Sequence, residues 1–140
     1  MILGFSALPS LTTRVMDSNG SVLSLGDLKV GDAIALDGGF GFGAGQINAY
    51  SILRLPGVPE SRLEFAPDKL ADPIFYMDGR AINTDTSTAY IGLTRTQFFA
   101  GQWPGSFHCP ARWSVFVRLN ADGSLTALSI TVTWKVDFCW

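Results

Sequence analysis

The chain has 140 residues, 47% hydrophobic and 16% charged, with a net charge of −2 and a sequence pI near 5.1. That balance excludes a disordered chain and predicts a single domain over residues 1–140, long enough to bury a continuous core. The ten Lys and Arg residues are scattered, no two of them adjacent, which excludes the clustered basic footprint of direct nucleic-acid binding.

The opening "MILGFSALPSL" is apolar, lacks a basic flank and is interrupted by Pro9. It is too short for a membrane span and makes a poor signal peptide, so it reads as a strand or arm packing on its own domain or on a neighbour. Asn19-Gly20 then separates "TTRVMD" from "SVLSL", and Gly and Asn tolerate the positive φ that a tight hairpin turn demands. Within "GSVLSLGDLKVGDAIAL", the "LKVGD" stretch resembles intein and Hedgehog-type self-processing domains. Those domains need an initial Cys or Ser nucleophile and a helper His. The only histidine here is His108, and no His-Asn pair closes the chain, so self-processing is not expected.

Residues 37–46, "DGGFGFGAGQ", contain Gly39-Phe-Gly41-Phe-Gly43-Ala44, a fit to the G-x-G-x-x-A pattern of a dinucleotide-binding turn. That fold needs a helix after the glycines and further βαβ units. The next residues are instead "INAYSILRLPG", rich in strand formers and ended by Pro56-Gly57. The stretch therefore reads as a loop or bulge in which Phe40 and Phe42 supply apolar contacts, and no cofactor is expected.

Further strands are predicted at "DAIAL", "YSILRL", "SRLEF" and "TAYIGL", with "APDKLAD" as a single helical turn. Asp78-Gly79 joins "PIFYM" to "RAINT" as a hairpin. In "ARWSVFVRL", Trp113, Val115, Val117 and Leu119 share one face. In "LSITVTWKVDFCW", Leu128, Ile130, Val132, Trp134, Val136, Phe138 and Trp140 do the same. The linking "NADGS" carries Asp-Gly turn chemistry, which makes these two segments a hairpin. The sum is an all-β chain, an antiparallel, jelly-roll-like β-sandwich of about eight to ten short strands.

Chemistry is sparse. "GQWPGSFHCPARW" places His108 beside Cys109, but neighbours on an extended segment point to opposite faces, and a zinc site would need more ligands than one His and two Cys. Cys109 and Cys139 read as two thiols, with a single bridge as the alternative. Asp17, Asp37, Asp78 and Asp122 all sit at turn signals, which accounts for them. No catalytic, metal or cofactor residue is assigned, and the chain is not expected to be an enzyme.

The C-terminal hairpin, "LSITVTWKVDFCW" above all, resembles the closing strands of viral jelly-roll coat proteins, and "TAYIGLTRTQFF" resembles an earlier strand of the same shells. The resemblance covers about the last fifty residues. It implies a structural subunit located in the virion, while the missing basic N-terminal arm favours a projecting or decorating protein, or a shell protein whose genome contacts lie elsewhere. The expected partners are copies of the chain or other particle proteins, met through Ile2, Leu3, Phe5, Trp103, Phe107, Phe138 and Trp140. Aromatic-rich loops such as the one carrying Trp103 leave a carbohydrate- or receptor-binding module as the alternative.

Overall fold

In the computed structural model, residues 5–57, 61–102 and 111–133 are described. The class is all-β, with ten strands in two separate sheets, one of three strands and one of seven, and a single short α-helix among these residues. The chain divides into two compact units, Met1–Glu60 and Ser61–Trp140. Each unit closes a hydrogen-bonded ladder of its own strands.

The first unit is a three-stranded sheet in the order β1 (Ser6–Asp17), β3 (Gln46–Leu55), β2 (Ala33–Phe40). β2 and β3 form an antiparallel hairpin from Ala33↔Leu55 to Phe40↔Ile47, whereas β1 runs parallel to β3. Both ladders break at the same residue, Tyr50. β2 steps from Asp37↔Ser51 to Gly38↔Ala49, and β1 steps from Pro9↔Ala49 to Arg14↔Ser51. Residues 10–13 therefore bow out of β1. The chemistry of "SLTT" holds the bow: Thr13 Oγ1 accepts the Ser10 N–H at 2.8 Å and donates to the Ala49 carbonyl at 2.7 Å. That carbonyl keeps a partner although the ladder is interrupted.

Val15, Ala49 and Ile52 form the buried cluster of this unit, with Leu23, Leu28, Ile34 and Leu36 packed against it. The expected strand at "SVLSL" is reduced to one bridge, Val22↔Met16, after the Asn19-Gly20 turn. Asp27 is the reason it stops: its carboxylate accepts both the N–H and the hydroxyl of Ser24, at 2.8 and 2.9 Å, and closes a 3-10 turn over Leu25–Asp27.

The second unit holds β4 (Arg62–Leu63), β5 (Lys69–Ala71), β6 (Ile74–Met77), β7 (Arg80–Asn83), β8 (Ala89–Ile91), β9 (Arg112–Leu119) and β10 (Leu125–Thr133). The order is β4-β9-β10-β7-β6-β5, with β8 also on β10. Strand β10 is the spine. β9 lies antiparallel along one side, while β7 and then β8 lie parallel along the other. Between them residues 84–88 leave the sheet, and Thr88 Oγ1 fills the gap by donating to the Ala127 carbonyl at 2.8 Å.

Three pairings, β1–β3, β10–β7 and β10–β8, are parallel, which corrects the expectation of a purely antiparallel structure. The two hairpins read from Asp-Gly turns are present. Asp78 and Gly79 both adopt positive φ, 48° and 74°, as a two-residue turn of the hairpin hand requires. "APDKLAD" forms β5 and not a helical turn, because Lys69, Leu70 and Ala71 pair with Tyr76, Phe75 and Ile74. The helix lies instead at α1 (Arg95–Phe99), with Thr94 as its cap: Thr94 Oγ1 accepts the Gln97 N–H, and Gln97 Oε1 accepts the Thr94 N–H.

The core of this unit follows the predicted faces until a bulge intervenes. Trp113, Val115 and Val117 are buried, but Leu119 is exposed. On β10, Leu125 and Ala127 are buried, then Leu128 is the extra residue of a bulge and is exposed, and Ile130 and Val132 resume the buried face. Phe98 of α1 is fully buried against Phe75 (5.1 Å, edge-to-face) and Trp113 (6.0 Å between centroids). Removing such a ring from water stabilises by about 1.5–3 kcal/mol. Trp134 lies outside the described residues.

Candidate functional site

The glycine motif is the turn of the β2–β3 hairpin. The Gly41 N–H donates to the Gln46 carbonyl at 2.8 Å, the Gln46 N–H returns to the Gly43 carbonyl at 3.2 Å, and the Gly43 N–H donates to Gln46 Oε1 at 3.0 Å. The chain leaves it as strand β3, where a dinucleotide turn would open a helix. A β-carbon on Gly41 would stand 2.8 Å from Gln46 Cβ, so the glycine serves the fold-back of this turn. Phe40, at the end of β2, is 58% exposed, and Phe42, in the turn itself, is 111% exposed.

Exposed apolar side chains gather in the first unit. Among the described residues, nine of the twelve large exposed hydrophobics lie there, including Leu11 at the tip of the β1 bow (106%), Val30 (109%) and Phe42. Leu8, Asn48 and Gly39 are register partners and share one face of the sheet, with Tyr50 lying across Gly39. That face is the one turned away from Ala49.

Of the interface residues expected from sequence, Phe5 is buried, at 2% exposure, and so is not a surface contact. Ile2, Leu3, Trp103, Phe107, Phe138 and Trp140 lie outside the described residues, as do His108, Cys109 and Cys139. Leu11, Val30 and Phe42 were missed, since a period-two reading scores apolar residues as buried and does not foresee a bow or a turn that turns them outward.

The second unit carries a groove of about 480 Å³ beside β4, β9 and β10. Its charged lining is Arg62, Glu64 and Arg112, and its hydroxyls come from Ser114, Thr131 and Thr133. Arg62 Nε pairs with Glu64 Oε1 at 3.4 Å, and the Arg62 guanidinium lies 5.7 Å from the Phe116 ring centroid. Both partners of that ion pair are about half exposed, so it orients the side chains more than it stabilises the fold.

Titration shifts fall at turns. Hydrogen bonds from the Ser24 backbone and then its hydroxyl hold Asp27 below the usual carboxylate range, and the Ser124 hydroxyl and N–H do the same for Asp122. Burial raises the Tyr90 hydroxyl above its ordinary value. Among the described residues no group of three or more His, Cys, Asp or Glu side chains is placed to hold a metal ion, and no helix is long and apolar enough to cross a membrane.

No family model, no curated protein and no solved structure matches the chain.

Proposed function

We propose that this protein is a structural subunit of a virion or similar assembly, acting through contacts between the first unit and further copies of the chain. The observation that carries the reading is the fully exposed apolar set Leu11, Val30 and Phe42, held at the bow of β1 and in the loops before and after β2, in a unit that already has its own buried cluster. Apolar residues held outward at a bow and a turn gain by being covered, and covering them is what an assembly contact does. The likeness of the C-terminal hairpin to coat-protein strands, in shells built from repeated copies, makes a second copy the natural partner.

Leu11→Asp combined with Phe42→Asp tests this. Both side chains are already in water, so unfolding stability should change by no more than about 0.5 kcal/mol. Association measured by sedimentation should fall sharply. A double variant that associates as the parent chain does would overturn the role given to these residues.

A further inference from the structure

The register of the second sheet gathers a set of polar side chains that no local stretch of sequence contains. Arg62 on β4 is the partner of Phe116 on β9, Ser114 is the partner of Thr131 on β10, and Arg112 is the partner of Thr133. Residues directly opposite one another point to the same side of a sheet, as do alternate residues along a strand. Arg62, Ser114, Arg112, Thr131 and Thr133 therefore share one face. The residues between them, Leu63, Trp113, Val115, Ile130 and Val132, are buried on the other. The polar face is the floor of the 480 Å³ groove, and Glu64, Phe65 and Ala66 continue it past the end of β4.

Among the described residues that line it, the groove carries two guanidinium groups and one carboxylate, although the chain as a whole carries −2. Along β9 the two arginine positions are separated by the Ser114–Thr131 hydroxyl pair, at the spacing of two strand repeats between Phe116 and Arg112. Stacking on Phe116 and the Nε contact to Glu64 restrain the Arg62 fork. Guanidinium forks recognise oxyanions through paired N–H donors. Hydroxyls, with Glu64 as an acceptor, suit the alternating donors and acceptors of a polyol. Trp113 is 7% exposed and offers no open ring, whereas Phe65, partly buried, lines the end of the groove beyond β4.

We propose that this groove binds an acidic sugar, its carboxylate or sulfate held by Arg62 and Arg112 and its hydroxyls by Ser114, Thr131 and Glu64. The site lies wholly within the second unit and does not depend on the assembly contact assigned to the first.

Titration of the full chain at low salt, followed by NMR shifts of the β9 and β10 amides, tests it with four probes: glucuronate, glucose 6-sulfate, glucose and inorganic sulfate. Saturable shifts are expected with glucuronate or glucose 6-sulfate, and which of the two binds tighter identifies the oxyanion. Arg62→Gln and Arg112→Gln, at exposed positions, should each weaken that binding about tenfold while leaving the melting curve in place. The Leu11→Asp and Phe42→Asp variant should bind as the parent does, which separates this site from the assembly reading. Absence of saturation with both acidic sugars overturns the proposal, as does binding indifferent to both arginine changes. Glucose binding as tightly as the acids overturns the role of charge, and sulfate binding as tightly overturns the role of the sugar.

Discussion

The Tyr50 hydroxyl lies across Gly39, 2.5 Å from where a β-carbon on that glycine would stand. One residue earlier, the place of a β-carbon on Gly38 is taken by the main-chain carbonyl of Asn48. The two glycines are adjacent and both read as part of one loop motif, yet they answer to different obstacles. A half-exposed tyrosine side chain can swing aside, whereas a carbonyl in the middle of a ladder cannot move without the strand. Gly38→Ala should therefore destabilise by about 1–3 kcal/mol, as overpacking does. Gly39→Ala should stay within about 0.5 kcal/mol of the parent. Urea unfolding of the two variants side by side measures the difference.

Phe98 anchors the second unit through four aromatic neighbours, with Phe99 4.9 Å away edge-to-face and Tyr90 at 6.0 Å beside the contacts to Phe75 and Trp113. Phe98→Ala should cost about 3–5 kcal/mol, since these rings cannot all collapse into the vacated space. Thermal unfolding reads the loss, and Phe99→Ala, on a more exposed side of α1, should lose less.

The Asp122 carboxylate takes the Ser124 hydroxyl at 2.6 Å and its N–H at 2.9 Å, closing the β9–β10 turn. Its pKa is lowered in the folded chain, so the contribution of this contact is complete above the usual carboxylate pKa of about 3.9 and is lost as pH falls through the lower folded value. Carboxyl-carbon NMR titration should show Asp122 protonating below the ordinary range, and Ser124→Ala should move it back up. An unmoved midpoint in that variant would mean that the hydroxyl bond is not the cause.

What could be read from the sequence was what the chain settles within a few residues. Asp78-Gly79 and Asp122-Gly123 dictate their turns by backbone permissiveness, and both hairpins are found where those residues stand. The rest depends on distant partners. β1 runs parallel to β3 because of the Ser6↔Gln46 register, and the broken β7–β8 edge exists because Thr88 can satisfy the Ala127 carbonyl. No local pattern encodes either. The Leu128 bulge reverses the phase of a strand that alternates regularly on paper, which is why an apolar residue counted as core stands in water. Helix α1 did leave a signal, Thr94-x-x-Gln97 ahead of two phenylalanines, but it is shorter than any periodicity window. The groove left none: Arg62 and Arg112 meet one face only through the β4–β9 pairing.

Association through the first unit is tested most directly by sedimentation velocity of the full-length protein across a wide concentration range, with electron microscopy of the same samples. Species well above the 15.1 kDa of one chain are expected, growing with concentration and lost in the Leu11→Asp and Phe42→Asp variant. A single 15.1 kDa species at every concentration, in both the parent and the variant, would contradict this role.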